Sequence, residues 1–341
     1  MNPTEPLLSV QNLKTYFFLD EGIVKAVDGV DFDVYPGQVV GIVGESGCGK
    51  SVTIKSILRL TQKPGRIVEG EILFRSQLVT DADSGSDVID LTTLDPHGRR
   101  MRAIRGAEIA MIPQEPMASF SPVHTVGNQL TEAIQLHEDV NDDEAWRIAI
   151  ERLHEVGMPN PEQRMDAYSW ELSGGLRQRA MIAMALSCNP RLLIADEPTT
   201  AIDVTTQAQV LNLLRSLQKM YDMAIIFITH DLGVIAQVAD YVVVMYLGRV
   251  METGPVDDIF HNPLHPYTKA LLKSIPSIYS PSGTELPTIE GSIPHPFSRP
   301  SGCPFYPRCE AFMPGVCNAS DPELQSVNER QSASCFLYEE K

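Results

Sequence analysis

The sequence predicts an α/β protein: a parallel sheet wrapped by helices, followed by a Pro- and Cys-rich C-terminal extension. Three observations carry this. Short uninterrupted apolar runs at Val39–Val43, Leu192–Ala195 and Ala224–Thr229 have the length and composition of strands buried on both faces. Segments with helical character alternate with them, at Lys50–Leu60, Ser173–Cys188 and Thr205–Met220, the order that builds a parallel sheet. The composition then shifts near residue 255: 13 of the 25 prolines and four of the six cysteines lie in the last 87 residues. The chain therefore reads as a compact domain over 1–254 and a loop-dominated extension over 255–341.

Within the first domain, Val30, Phe32 and Val34 alternate with Asp31 and Asp33, the period-two pattern of a half-buried strand. Ile109–Ile112 is a further short strand. Residues 125–157 are helical and acidic, and Asp142, Asp143 and Glu144 open a helix whose first turn favours anions. The Asp- and Ser-rich stretch DADSGSD makes 76–100 a polar surface insertion. No internal repeat is present.

Of 341 residues, 43% are apolar and 21% charged, which excludes disordered, collagen-like and coiled-coil classes. A net charge of −17 argues against a nucleic-acid ligand, because phosphate neutralisation needs a basic footprint. No run approaches the ~18–20 apolar residues of a membrane span. The N-terminus lacks the basic-then-apolar order of a signal peptide. These features predict a cytosolic chain with reduced thiols.

Three motifs carry chemistry. Gly44-Glu45-Ser46-Gly47-Cys48-Gly49-Lys50-Ser51 fits the pattern G-x-x-x-x-G-K-[ST] between a buried strand and a helix. Its glycines let backbone N–H groups curl around a phosphate, and the following helix offers its positive end. Lys50 would reach the β- and γ-phosphates, and the Ser51 hydroxyl would ligate Mg²⁺. Next, Arg191-Leu-Leu-Ile-Ala-Asp196-Glu197-Pro delivers two carboxylates to the C-terminal edge of a parallel sheet, where ligands bind. Asp196 would hold Mg²⁺ through water and Glu197 would polarise the attacking water. The third motif, Leu172-Ser173-Gly174-Gly175, opens a second helix with an anion-binding N-terminus. Two phosphate-grade sites in one chain make sense when two chains share their nucleotides.

Together these motifs resemble an ATP-binding-cassette (ABC) ATPase. The phosphate loop is followed about 130 residues on by the LSGG signature, about 20 residues later by the Asp-Glu pair, and then by a histidine. The resemblance spans roughly residues 7–275. LHPYTKALL (264–272) and the four-cysteine tail are similar to the ATPases of dipeptide and oligopeptide importers. It implies a P-loop NTPase cassette: a RecA-like core, an antiparallel β subdomain, an α-helical signature subdomain at about 120–188 and the extension.

The family's roles carry over by position. Gly44 to Val52 would line the ATP phosphates, and Phe17, with Tyr16 as rival, would stack on adenine. Gln114 would sense Mg²⁺ and the γ-phosphate, and His230 would contact the γ-phosphate. Ser173, Gly174, Gly175 and Asp203 would serve the nucleotide of the partner across a dimer interface, and Glu115–Pro122 would meet the membrane subunits. The implied partners are a second, non-identical ATPase, two transmembrane permease subunits and an extracytoplasmic solute-binding protein, with this chain peripheral on the cytoplasmic face of the inner membrane. Peptides lead as cargo; oligosaccharides, nickel or other small solutes are the alternatives, and a nucleic-acid cassette ATPase is the remote one. Leu176 stands where many members have Gln or Met, and Pro113 replaces a commoner aromatic.

Cys303, Cys309, Cys317 and Cys335 are separated by five, seven and seventeen residues. In a reduced chain four thiols on a loop-rich segment argue for metal. Paired C-x-x-C knuckles, the usual sign of zinc, are missing. Four lone thiols with Pro304 beside the first suit an iron–sulfur cluster better, and the resemblance implies a [4Fe-4S] cluster. The plainer alternative is thiols packed near Phe305, Phe312 and Phe336.

Overall fold

The computed structural model describes residues 5–81, 85–115, 119–200, 203–275 and 289–339. Of the expectations above, residues 116–118 of the membrane-facing segment, 82–84 of the insertion, and Ala201 and Ile202 before Asp203 lie outside them, as do 276–288 of the extension.

The chain forms two compact units. One runs up to Leu7 and includes Val34–Gln38 and Phe74–Ile228. Its sheet holds three parallel strands, Ile109–Ile112, Leu192–Asp196 and Ala224–Ile228, in register from Ile109 opposite Leu192 to Asp196 opposite Ile228. The last two are buried at every position, as uninterrupted apolar runs require. Residues 125–157 form two helices, Val126–Gln135 and Asp142–Glu155, the second opening at Asp142 as the acidic run implies. Thr125 caps the first by accepting from the Asn128 amide, and Asn141 caps the second by accepting from Glu144. Gly127 admits the Trp146 ring, which a Cβ would meet at 2.8 Å. The helices Gly174–Ala185, which follows Ser173, and Val204–Tyr221 also belong to this unit. The 76–100 insertion is more structured than a plain loop. Val88–Asp90 is a strand, and Asp90 then caps a 3₁₀ turn over Leu91–Thr93 by accepting from the Thr92 amide.

The other unit holds Leu8–Asp33, Val39–Leu73 and the chain from Thr229 on. Leu8–Leu19 and Gly22–Val34 are joined by two residues, so they run antiparallel, and Leu8–Leu19 lies between Gly22–Val34 and Gly65–Arg75. Val39–Val43 pairs in parallel with Tyr241–Tyr246, which pairs antiparallel with Arg249–Pro255. The helix after the glycine loop ends at Ile57, short of Leu60, because Arg59 turns left-handed at φ 55° and the Leu60 amide reaches back to the Lys55 carbonyl. The extension adds the helices Val256–His261 and Pro266–Lys273, and Ser332–Ala333 extends the sheet beside Glu252 and Thr253. Among the described residues, no helix is long and apolar enough to cross a membrane.

Candidate active site

The glycine loop leaves the buried strand Val39–Val43 and ends at Lys50, the first residue of the helix Lys50–Ile57. Two of its glycines are obligatory. Gly44 has φ 150° and a Cβ there would meet the Met245 carbonyl oxygen at 2.1 Å; Gly49 has φ 104° and its Cβ would meet that of Ala26 at 2.4 Å. Gly47, φ 78°, faces open space, and Ser46 beside it is exposed. Lys50 is only 6% exposed, and its Nζ donates to the carbonyls of Gly44 at 2.7 Å and Glu45 at 3.2 Å. These bonds fold the ammonium back onto the start of its own loop. Ser51 and Val52 are half-buried on the first helical turn. Cys48 is buried, and that burial raises its thiol pKa against the pull of Lys50.

Phe17 is half-buried and its ring packs on Gly65, whose Cβ would sit 2.6 Å from it. Tyr16 is committed elsewhere: its hydroxyl donates to Asp28 at 2.5 Å, and burial and that carboxylate raise its pKa. His230 is exposed just after the strand Ala224–Ile228.

In the other unit, Asp196 is 4% exposed and ends its strand. Glu197 follows at φ 48°, a left-handed turn, with its amide donating to the Ile228 carbonyl at 2.9 Å. That turn redirects the chain so that the Glu197 carboxylate leaves the strand. Its Oε2 accepts from Gln114 Nε2 at 2.8 Å and from Thr200 Oγ1 at 3.0 Å. Gln114 reaches it because its own strand, Ile109–Ile112, pairs in register with Leu192–Ala195.

Ser173 caps the signature helix, accepting from the Leu176 amide at 3.4 Å. Ser173 and Gly174 are exposed, Gly174 has open space where a Cβ would be, and Gly175 approaches Thr206. Arg177 braces this entry by donating to the carbonyls of Ser169 and Leu172. Asp203 caps the helix Val204–Tyr221; Thr206 donates to it from amide and hydroxyl, and these bonds hold its carboxyl below the usual range.

The four tail cysteines line one small pocket, together with His265, Tyr306 and Phe336. All four are free thiols. Burial, reinforced by the neighbouring thiols, pushes Cys303 up to about 12 and Cys335 up to about 11. Among the described residues no group of three or more His, Cys, Asp and Glu side chains is placed to hold a metal ion. The thiols surround a cavity, and they do not close on a point as a zinc tetrahedron requires.

Three polar residues escaped the sequence. Gln178, 2% exposed, donates to the Pro198 carbonyl at 2.7 Å. Tyr267 Oη accepts from the Glu45 amide at 2.9 Å, and Arg308 forks onto the Glu45 carboxylate at 2.7 and 3.1 Å. Tyr267 lies within LHPYTKALL, a segment the sequence marks without giving it a task. Nothing local marks Arg308.

The ABC transporter family model matches residues 27–200, and the chain belongs to that family. Its branch is given by the oligopeptide/dipeptide transporter C-terminal region, matched over 251–317. The chain is 48% identical over 336 residues to the oligopeptide transport ATP-binding protein AppD of Bacillus subtilis, covering 98% of each. It is 46% identical over 338 residues to the dipeptide transport ATP-binding protein DppD of the same organism, covering 99% of this chain and 96% of the relative. Among solved structures, the dimeric bacterial ABC transporter cassette MJ0796 aligns with a TM-score of 0.62 at 25% identity, over 73% of this chain and 98% of that one. Its post-hydrolysis form bound to ADP and Pi aligns at 0.61 and 24% identity over the same shares, a likeness of fold. The α/β cassette expected from the motifs is the fold found.

Proposed function

We propose that this chain is the ATP-hydrolysing subunit that energises a peptide importer. The observation that carries the chemistry is the Gln114–Glu197 hydrogen bond at the ends of two paired strands. It holds a carboxylate at a sheet edge against a group suited to reading the nucleotide. Glu197 takes a proton from the attacking water as the water oxygen bonds to the γ-phosphorus. The bond from that phosphorus to the bridging oxygen breaks, and ADP and phosphate leave. Catalysis of this kind is positioning and charge stabilisation. Lys50 supplies charge to the β- and γ-phosphates, His230 contacts the γ-phosphate, and Phe17 stacks on adenine. The Ser51 hydroxyl and the Asp196 carboxylate are hard oxygen donors, the class Mg²⁺ prefers, and with Gln114 they would hold the ion that screens the phosphate charge.

Exposed Ser173 and Gly174, with Gly175 and Asp203, serve a nucleotide on a second, non-identical ATPase. Two permease subunits, contacted through Glu115–Pro122, and an extracytoplasmic binding protein complete the importer, with this chain on the cytoplasmic membrane face. Peptide cargo is supported by the names and full-length similarity of the relatives. The cassette occupies 1–254, with its helical subdomain at about 120–188, and the extension 255–341. The pocket shared by Cys303, Cys309, Cys317 and Cys335 supports a [4Fe-4S] cluster, because four soft sulfur donors gathered from one loop-rich segment suit iron and sulfide. Such a cluster would staple a segment with little core of its own.

The test is Glu197→Gln. Nucleotide affinity should stay within about threefold while turnover falls at least ~100-fold, the scale of losing a general base. Full turnover in this variant would sink the assignment.

A further inference from the structure

Glu45 poses an electrostatic problem. It is the second residue of a loop that, on the reading above, receives a polyanionic nucleotide, and a carboxylate there repels the ligand. Arg308 answers it. The guanidinium forks onto Glu45, Nη1 to Oε2 at 2.7 Å and Nη2 to Oε1 at 3.1 Å, and the arginine side chain is 4% exposed. A bidentate pair with one buried partner is strong and geometrically specific, although Glu45 keeps 21% of its side chain exposed.

Arg308 is itself fixed on its other edges. Nε donates to the Glu290 carbonyl at 3.0 Å, Nη2 to that of Ile289 at 3.3 Å and Nη1 to the Tyr246 hydroxyl at 3.2 Å. Its backbone lies in the single turn Tyr306–Arg308, tied to Cys303 at one end through the Tyr306 amide and to Cys309 at the other. A second arm runs alongside. His265 and Pro266 line the cysteine cavity, and the next residue, Tyr267, is fully buried and accepts the Glu45 amide. Tyr246, Tyr267 and Phe305 fill the space between the arms with ring centroids 4.7–5.5 Å apart. The extension thus grips one loop residue by both its carboxylate and its amide.

We propose that the C-terminal extension is a positioning element of the glycine loop, in which Arg308 neutralises and orients Glu45 and Tyr267 holds its amide, so that nucleotide affinity depends on the extension. The inference rests on the ATP reading of the loop. Without Arg308 the Glu45 charge faces the phosphates; without both charges the repulsion is gone.

The experiment uses the full chain, with mant-ATP as probe and ATPase kinetics alongside. Arg308→Met should weaken mant-ATP binding roughly tenfold, raising KM for ATP with kcat within about twofold. Arg308→Lys should recover part of the loss, and the double variant Glu45→Gln/Arg308→Met should recover most of it, which a merely structural role for Arg308 would not produce. Lys50→Ala separates the two readings. If Lys50→Ala abolishes binding while Arg308→Met binds like wild type, or if neutralising Glu45 rescues nothing, the inference is overturned. If Lys50→Ala itself binds normally, the ATP reading of the loop has failed. Thermal unfolding of each variant distinguishes a lost fold from a lost clamp, and the lysine variant keeps the test open should the methionine variant not fold.

Discussion

Gln178, on the signature helix, donates its side-chain amide to the Pro198 carbonyl at 2.7 Å, one residue beyond Glu197. The bond ties the helix opened by Ser173 to the turn that aims the Glu197 carboxylate, so signature and candidate base share one rigid link. Both partners are buried. Gln178→Ala should cost about 1–3 kcal/mol of stability, the penalty of an orphaned buried acceptor. Gln178→Glu should cost more, because a carboxylate cannot donate and sets negative charge against the carbonyl oxygen. Urea unfolding measures both. ATP turnover should fall in each, because the bond holds the turn that aims the Glu197 carboxylate. Equal stability of the two variants would show that the bond is not what holds the turn.

The glycines of the loop should not be equivalent. An alanine at Gly49 meets the Ala26 carbonyl oxygen at 2.4 Å and sits at φ 104°, so the loop must move. An alanine at Gly47 meets nothing, although φ 78° still strains it. That strain is about 1–2 kcal/mol, without a clash to add to it. Gly49→Ala should therefore abolish mant-ATP binding, while Gly47→Ala keeps it with a loss of roughly tenfold. The reverse order would mean that the loop opens away from Ala26 before nucleotide binds.

Buried strands were legible because their signal is local and redundant. Leu192–Asp196 and Ala224–Ile228 are apolar at nearly every position, and a strand covered on both faces needs nothing else. Lys50, Asp196 and Glu197 stood out for a different reason, since they fall at the fixed spacings of known motifs. The helix start at Asp142 was legible from its acidic first turn, whereas the Asn141 cap acts through a geometry that periodicity does not report. The ordered part of the insertion was missed because Val88 and Ile89 are too short a run to stand out from their polar surroundings. Arg308 was invisible because its partner lies 263 residues away in sequence, and an ion pair between distant segments leaves no local pattern.

The tail cavity makes a compositional prediction. Anaerobically purified protein should contain about four irons and four acid-labile sulfides per chain, with little zinc, and Cys303→Ser should lose them. Cys303 is the most informative position, because burial and three neighbouring thiols all act on it. Folded, anaerobic protein free of iron and sulfide would leave the cavity as thiol packing and would not touch the ATPase assignment.

Glu252 carries the last prediction. It is fully buried, and its two oxygens accept from the amides of Leu264 and His265, each at 2.8 Å, just ahead of the helix Pro266–Lys273 that bears Tyr267. These amides precede a proline and have no helical partner of their own, so the carboxylate is the cap of the segment. Glu252→Ala should cost about 3 kcal/mol, the scale of breaking a buried charged contact. Glu252→Gln should cost less, because its carbonyl oxygen satisfies one amide while its NH₂ faces the other. Burial outweighs the Thr268 side chain, the two amides and Lys269 and raises the carboxyl's folded pKa above its ordinary value. The folded state then binds the proton more tightly than the unfolded chain does. This contribution is fully present below the ordinary carboxylate range and is lost as pH rises through the folded value. Wild type should therefore gain stability relative to Glu252→Gln as the pH is lowered from 7 toward 4.5, measured by urea midpoints at each pH. A constant difference would mean that Glu252 is ionised in the fold at both ends of that range, held so by Thr268, the two amides and Lys269.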